Sequence, residues 1–194
     1  MPEIGSVCVY CGSSGRGRAG HLAAARDLGT TLAREGVRLV YGGGRVGLMG
    51  AAADAALAAG GDVTGIIPAF LQALELANSR VGQLIVTDTM HSRKQRMAEL
   101  SDGFVILPGG LGTLDEAFEI VTWRQLGLHD KPIVVLDVDG YWQPLKALLD
   151  HILAENYVRE DHARLVRFVG RVDQVLPTLR SMPASGSRID LKWS

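Results

Sequence analysis

Short hydrophobic runs alternate with helical patterns along most of this 194-residue chain. The runs have the length of strands and contain few polar residues, which is typical of parallel strands buried on both faces. The segments between them repeat apolar residues at helical spacing. Strands are predicted at 4–10, 37–41, 63–67, 83–86, 104–107, 133–136 and 165–169, and helices at about 20–35, 47–59, 90–100, 114–126, 142–155 and 171–180.

The alternation of strands and helices predicts an α/β fold. We expect a doubly wound, Rossmann-like parallel sheet with helices on both faces, formed by a single domain of residues 1–182. The tail 183–194 is rich in Pro, Ser, Gly and Arg and is predicted to be disordered. Such folds bind ligands beyond the carboxyl ends of their strands. Glycine clusters follow Tyr10, Tyr41 and Leu107, so a ligand site is predicted where these strands end.

The charge balance of the chain argues against several partners. The 20 Lys and Arg residues nearly cancel the 21 Asp and Glu residues and leave a net charge of −1. Such a chain has no overall attraction to nucleic acid or to an anionic membrane, so neither is expected as a partner. No apolar stretch reaches the roughly 18 residues that span a bilayer, and residues 1–14 lack the pattern of a secretion signal. We therefore expect a cytoplasmic protein.

Two cysteines, Cys8 and Cys11, have the C-x-x-C spacing of redox pairs. Redox cysteines usually lie at the start of a helix, which stabilises the thiolate. Cys8 lies instead inside a predicted buried strand, which favours a structural role. Two cysteines and five histidines without metal-site spacing predict no metal centre.

The segment 108–116 gives the strongest indication of a ligand. It follows a buried strand and opens a predicted helix, so its first backbone N–H groups have no helical partner. Glycines let an anion approach the backbone, and the helix dipole favours negative charge at this end. A phosphate group is the expected ligand, with the Thr113 hydroxyl as a further donor. The segment reads Pro108, Gly109, Gly110, Leu111, Gly112, Thr113, Leu114, Asp115 and Glu116.

Thr113 and Glu116 also fit a second interpretation. In a capping box, the threonine bonds the amide three residues into the helix and the glutamate returns to the N-cap amide. Both interpretations hold together if one residue caps the helix and also faces the ligand. Because glutamine serves a capping box as well as glutamate does, Glu116→Gln separates the two roles.

The segment 42–50 contains G-x-G-x-x-G, which resembles a dinucleotide-binding motif. That motif expects an acidic residue about twenty positions later, at the end of the following strand. Asp62 has this separation but stands at the start of its strand. The motif also follows the second predicted strand and not the first, so NAD binding is disfavoured. The chain has no G-x-x-x-x-G-K-[ST], so a P-loop ATPase is also disfavoured.

Residues 90–97 follow a predicted strand end and contain three basic residues within four positions. From the pattern alone, a solvated helix face remains an open interpretation. However, Met90, Arg93 and Met97 share one stripe at helical spacing, which brings Arg93 toward the apolar side. A buried arginine needs an anionic partner, and Glu116 or a ligand phosphate would provide one.

These segments occur together in one known family. The residues are Cys11-Gly12-Ser13-Ser14, Tyr41-Gly42-Gly43-Gly44, Gly47-Leu48-Met49-Gly50, Met90-His91-Ser92-Arg93-Lys94, the run 108–116, Thr122-Trp123-x-Gln125-Leu126-Gly127 and His129-Asp130-Lys131-Pro132. Over roughly residues 5–160 they resemble, in collinear order, the cytokinin-activating phosphoribohydrolases of the Lonely Guy family, once labelled lysine decarboxylases. Thr89, where relatives often have Asp, and Asp115, which replaces a common Glu, depart from the pattern, and the change at Thr89 bears on helix capping.

The resemblance implies hydrolysis of an N6-modified adenosine 5'-monophosphate to free base and ribose 5-phosphate, with AMP itself as a plausible substrate. It implies Arg93 and Glu116 as the catalytic pair, no cofactor, and a homodimer. Substrate contacts are implied for Glu75, Lys94, Gly110, Leu111, Gly112, Thr113, Leu114, Asp115 and Thr122, and Ser14, Gly43 and Gly109 are added from the glycine-rich loops.

The chemistry of the reaction suits these residues. Cleavage of an N-glycosidic bond builds positive charge on the ribose, as in glycoside hydrolysis. A carboxylate such as Glu116 stabilises that charge and activates water. Arg93 would pair with Glu116 and keep it ionised.

Two rival functions remain to be weighed. A decarboxylase that uses pyridoxal phosphate needs a Schiff-base lysine with further cofactor partners, and only Lys94 lies near the predicted crevice. A non-enzymatic carrier of a nucleotide or of the molybdenum cofactor is the more serious alternative, because related folds include such carriers. A carrier would keep the phosphate site but has no need of both Arg93 and Glu116.

The predicted helix after residue 114 bears on the oligomeric state. Its apolar residues spread around much of its circumference, which indicates burial on several sides. One side is expected to pack on the sheet and another on a second subunit, whereas a purely intramolecular core is the alternative. These residues are Leu114, Phe118, Ile120, Val121, Trp123 and Leu126.

Overall fold

A parallel sheet of seven strands lies at the centre of the computed structural model, which describes residues 3–74, 77–159, 162 and 164–183. The strands follow one another in space in the order β4-β3-β2-β1-β5-β6-β7. Their bounds are β1 Ser6–Tyr10, β2 Arg38–Tyr41, β3 Val63–Pro68, β4 Gln83–Thr87, β5 Gly103–Ile106, β6 Ile133–Leu136 and β7 Arg167–Val169.

Helices cover both faces of the sheet. Helices α1, α2 and α7 pack on one face, and α4, α5 and α6 pack on the other. Their bounds are α1 Ala19–Arg34, α2 Gly47–Ala58, α3 Ala69–Ala73, α4 Met90–Glu99, α5 Leu111–Gln125, α6 Gln143–Ala154 and α7 Val175–Ser181, with short 3-10 turns at Val138–Gly140 and Val172–Gln174. The predicted Rossmann-like α/β fold is therefore confirmed.

The strand order creates a crevice beside β1. From β1 the chain builds outward through β2, β3 and β4, and then returns to place β5 on the other side of β1. The connections after β1 and β5 therefore leave the sheet in opposite directions, and a ligand crevice forms between them at the carboxyl ends of the strands. The glycine clusters after Tyr10 and Leu107 lie at this crevice.

Some elements differ from the sequence prediction. The short helix α3 was not predicted, because five residues are too few to show a helical period. The helix predicted at 171–180 divides into a 3-10 turn and α7. Of the predicted tail, only Pro183 is described, and its carbonyl accepts a hydrogen bond of 2.9 Å from Arg124 Nη2. The rest of that tail lies outside the described residues.

Cys8 and Cys11 are free thiols buried at β1 and just beyond it. Burial, with a smaller contribution from the charge of Glu116, raises the pKa of each thiol well above its usual range. A thiol that resists ionisation is a poor redox nucleophile. The environment of both residues is that of structural cysteines.

Helices α1 and α2 approach closely at Gly29. A Cβ atom at this position would overlap the backbone carbonyl of Ala52 in α2. Backbone cannot move aside as a flexible side chain does, so overpacking here has to separate the two helices.

We predict that Gly29→Ala lowers the free energy of unfolding by about 2 kcal/mol, although alanine is the better helix former. Gly112→Ala is the matched control, because Gly112 is also helical and no atom lies near its added Cβ. Urea unfolding measures both changes. A Gly29→Ala variant at least as stable as the wild type would contradict the close packing.

Candidate active site

Helix α4 begins at a well-formed cap. Thr89 is the N-cap residue, and its Oγ1 accepts a hydrogen bond of 3.0 Å from the Ser92 amide. In return, the Thr89 amide donates to Ser92 Oγ at 3.1 Å. Threonine therefore caps this helix. The cap fixes the start of the helix that carries Arg93.

The guanidinium of Arg93 lies where β2 and β3 end. Its Nε donates to the Ile66 carbonyl at 3.2 Å, and its Nη2 donates to the Gly42 carbonyl at 3.4 Å. A Cβ atom at Gly42 would overlap the guanidinium, so a larger residue at this position would displace Arg93 from its place. The side chain is buried, with the residue only 5% exposed. The apolar stripe of α4 correctly predicts this burial.

Glu116 of α5 is the anionic partner of Arg93. Its Oε1 lies 3.4 Å from Arg93 Nη2, and the residue is only 4% exposed. Burial raises the pKa of Glu116 to about 7, against the lowering effect of the Arg93 charge. The carboxyl can therefore gain or lose a proton near neutral pH. A buried group with such a pKa is typical of catalytic residues.

The glycine-rich loops are bonded to one another beside this pair. The Gly12 amide donates to the Pro108 carbonyl at 3.0 Å, and the Leu48 amide donates to the Gly12 carbonyl at 2.9 Å. Tyr141 Oη donates to the Gly109 carbonyl at 2.6 Å. The ends of β1, β2 and β5 therefore form one connected rim around the crevice.

Helix α5 begins earlier than the sequence predicted. Its first residue is Leu111 and its N-cap is Gly110, which has no side chain to cap the helix. Thr113 is already inside the first turn, so the predicted capping box of Thr113 and Glu116 is wrong. The glycines hid this start, because the hydrophobic period only becomes visible from Leu114 onward.

This early start leaves the first amides of α5 free to bind an anion. The first N–H groups of a helix have no partner within it, and here no side chain caps them. Gly110, Leu111 and Gly112 are exposed, with Leu111 at 85%. Thr113 is buried, and its hydroxyl lies so close to Gly109 that a Cβ there would overlap it. The predicted phosphate cradle therefore has the geometry of an anion site.

A cleft of about 310 Å³ lies between the loop after β1 and the loop after β5. Sequence reasoning did not single out Arg16, Arg18, His21 or Tyr141, which line it together with Ser14, Gly109 and Gly110. Nothing in their local pattern distinguishes them, because Arg16 and Arg18 lie on an ordinary polar connection and His21 lies in the first turn of α1. Their location shows that the crevice has a basic wall.

The other expected substrate contacts fall into three groups. Gly43 is buried against the end of β3 with a φ of 72°, and Ser14 is exposed and accepts a bond from the Arg16 amide at 3.2 Å. Lys94 is buried, with its ammonium held between carboxylates of α5. Glu75 lies outside the described residues.

Thr122 lies apart from the Arg93–Glu116 pair. It is six residues beyond Glu116 on α5, which corresponds to about 9 Å along the helix and to a different face. Its side chain lines a separate groove of about 480 Å³ between α5, α6 and β7. Within one chain, the structure does not bring Thr122 to the Arg93–Glu116 pair.

Comparison with known proteins identifies the family. The family model described as "Possible lysine decarboxylase" matches residues 49–179. The chain is 46% identical over 164 residues to the rice (Oryza sativa subsp. japonica) protein named "Probable cytokinin riboside 5'-monophosphate phosphoribohydrolase LOGL1", covering 84% of this chain and 74% of that protein. It is 42% identical over 164 residues to cytokinin riboside 5'-monophosphate phosphoribohydrolase LOG4 of Arabidopsis thaliana, covering 84% and 76%. The chain belongs to the family of cytokinin riboside 5'-monophosphate phosphoribohydrolases.

A protein with a different described role shares the fold of this phosphoribohydrolase family member. The molybdenum cofactor binding protein from the phototrophic bacterium Rippkaea orientalis matches with a TM-score of 0.71 and 25% identity, over 93% of this chain and 98% of that one. Within the described residues, no three metal-binding side chains cluster, and no helix is long and apolar enough to cross a membrane.

The raised pKa of Glu116 predicts a pH-dependent stability. The pKa of this carboxyl is about 7 in the folded protein, against an ordinary value of 4.5. Between these two pH values, the carboxyl is therefore protonated more often in the folded state than in the unfolded state. The free energy of unfolding therefore falls by about 3 kcal/mol as pH rises through this window. Because glutamine does not titrate, Glu116→Gln lacks that loss and gains stability relative to the wild type toward about pH 8.

Urea unfolding from about pH 5 to about pH 8 measures this difference. Glu155→Gln is the control, because Glu155 is an exposed carboxylate at the end of α6. If the curves of the wild type and Glu116→Gln stay parallel, Glu116 does not titrate in this window.

Proposed function

We propose that the protein hydrolyses the N-glycosidic bond of adenosine 5'-monophosphates, including N6-modified ones, and releases the base and ribose 5-phosphate. The observation that supports this most directly is the buried Arg93–Glu116 pair beside the uncapped start of α5. The names of its relatives, which describe phosphoribohydrolases of cytokinin riboside 5'-monophosphates, support the same reaction.

The 5'-phosphate of the substrate would bind at the first turn of α5. The uncapped amides at the start of α5, from Gly110 to Thr113, and the dipole of a helix of 15 residues favour a dianion at this point. Ser14 and Gly109 line the adjoining cleft and would complete the contacts. Leu111, Gly112 and Leu114 would contribute mainly backbone and van der Waals contacts, and Gly43 would let the ligand approach the end of β2.

Glu116 would act on the sugar. As the bond from C1′ to the base breaks, the ribose gains positive charge, which a nearby carboxylate stabilises. Glu116 would also take a proton from the attacking water, whose oxygen bonds to C1′ as the bond to the base breaks. The departing base takes up a proton from solvent, and Glu116 releases its own proton to solvent, which restores the carboxylate. Arg93 holds the carboxylate in place and favours its ionised form.

The two rival functions have weaker support. Lysine decarboxylation through pyridoxal phosphate needs a lysine amine that is free to form a Schiff base, whereas Lys94 is held by carboxylates that raise its pKa despite the opposing effect of burial. A cofactor carrier is suggested by a structural neighbour at 25% identity, against 46% for a phosphoribohydrolase. A protein that only carries a cofactor also has no need of a buried ionisable pair at the crevice.

A product assay tests the proposal. We expect free adenine or free N6-modified base from AMP and N6-isopentenyl-AMP, and at least a hundredfold lower kcat/KM with adenosine, because the phosphate provides much of the binding energy. Chromatography of the released base measures all three reactions. Equal turnover of AMP and adenosine would overturn the phosphate cradle.

The same assay separates the catalytic role of Glu116 from a structural one. Glu116→Gln is expected to lower kcat with AMP at least a thousandfold, while the protein stays folded by circular dichroism. Near-normal turnover would remove Glu116 from the mechanism. Glu155→Gln again serves as the control, since its carboxylate is remote in sequence and exposed.

We also propose that the enzyme is a cytoplasmic homodimer. Phe118, 40% exposed on α5, lines the apolar groove that contains Thr122. Thr122 faces away from Glu116 of its own chain, so a substrate contact by Thr122 requires a second copy. The two buried free thiols suit a reducing compartment, which cell fractionation would test.

Light scattering at micromolar concentration tests the dimer. We expect a wild-type mass of about twice that of the chain and a monomer for Phe118→Glu, because a charge on an apolar interface prevents its burial. Arg34→Glu on α1, which packs on the opposite face of the sheet, should leave the dimer intact. A monomeric wild-type protein would contradict the proposal.

A further inference from the structure

The ammonium group of Lys94 is paired with two carboxylates of α5. An ammonium carries three N–H donors. Three carboxylate oxygens lie within reach of Lys94 Nζ: Asp115 Oδ2 at 3.0 Å, Asp115 Oδ1 at 3.3 Å and Glu119 Oε1 at 3.1 Å. Because two of these oxygens belong to Asp115, the ammonium has two carboxylate partners, and the Lys94 side chain is only 7% exposed. The side chain is therefore directed at α5 and away from solvent.

Helix periodicity explains why Lys94 faces these two partners. Asp115 and Glu119 are four residues apart, so they lie on the same face of α5. Arg93 and Lys94 are neighbours on α4 and therefore point in different directions, one toward the ends of β2 and β3 and the other toward α5. The two helices are thus joined by three ion pairs, Arg93–Glu116, Lys94–Asp115 and Lys94–Glu119, the first of which includes the proposed catalytic carboxylate.

We propose that Lys94 is a positioning residue for Glu116 and not a substrate contact. Its ammonium neutralises Asp115 and Glu119, which flank Glu116 on α5, and it holds α5 against α4 so that Glu116 faces Arg93. This inference rests on the proposed function, because it assigns Lys94 a role in the action of Glu116 as an ionised catalytic group.

The charged groups around Glu116 come from two elements. Arg93 and Lys94 of α4 favour its ionised form, whereas Asp115 and Glu119 of α5 oppose it. Three further ionisable residues lie near Glu116, in β1 or directly after it: Cys8, Tyr10 and Cys11. Burial raises the pKa of each well above its usual range, so these side chains stay neutral. Lys94 is therefore the group whose removal leaves two carboxylates uncompensated beside Glu116.

The experiment measures kcat/KM for AMP against pH in Lys94→Met, in Glu119→Gln and in the double variant. Lys94→Met should move the acid limb of the profile to higher pH by about one unit. The reason is that the charges of Asp115 and Glu119, no longer neutralised, oppose the ionisation of Glu116. Glu119→Gln should move it downward. The double variant, which has the net local charge of the wild type, should return the limb toward the wild-type position, and KM should stay within about twofold throughout.

Other outcomes would overturn the inference. A tenfold or larger rise in KM for Lys94→Met, with the acid limb unmoved, would make Lys94 a substrate contact. If Lys94→Met fails to fold, the Glu119→Gln variant tests the inference by itself. A shift of its acid limb to lower pH supports the charge balance, and an unmoved limb contradicts it. Wild-type turnover of AMP with unmoved limbs refutes only the role of Lys94, whereas absence of turnover refutes the proposed function itself.

A second readout is independent of activity. In urea unfolding, Lys94→Met should move the pH window of the Glu116-dependent stability loss upward, and a Lys94→Met, Glu116→Gln variant should lack that window. A lysine with a purely structural role would lower the stability equally at every pH.

Discussion

The burial of the Arg93 guanidinium is the constraint on which the rest of the site depends. A buried guanidinium needs an acceptor in every direction, because an unpaired charge in the interior is costly. Two acceptors are backbone carbonyls at the ends of neighbouring strands, Gly42 after β2 and Ile66 in β3, and the third is Glu116. The sheet therefore has to bring these two strand ends together before the catalytic pair can form.

The glycine clusters serve this constraint as well as ligand binding. Gly42 leaves the space that the guanidinium fills, and Gly109 leaves the space occupied by the Thr113 hydroxyl. The amide of Gly12 joins the loop after β1 to the loop after β5. At Gly42 and Gly109 the missing side chain lets protein groups approach one another. The same lack of side chains leaves the first turn of α5 open to an anion.

The sequence predicts the fold and half of the catalytic geometry. Continuous apolar strands indicate the parallel sheet, and helical spacing correctly brings Arg93 into the interior. It does not predict where α5 begins, because glycines carry no hydrophobic signal. For the same reason the pattern allows a cap at Thr113 that the structure does not contain. It also does not predict the contacts of Lys94, since these depend on the separation of two helices that are distant in sequence.

A shared fold with a molybdenum cofactor binding protein shows that the crevice alone does not determine the chemistry. A parallel sheet with an open helix start binds phosphate groups regardless of what happens to them. Hydrolysis additionally needs a carboxylate that is ionised near neutral pH and still poorly solvated. Burial raises the pKa of Glu116, and the opposite charges of Arg93 and Lys94 limit that rise to about 7. In the mechanism that we propose, the difference between binding a nucleotide and cleaving it therefore lies in the balance of these buried charges.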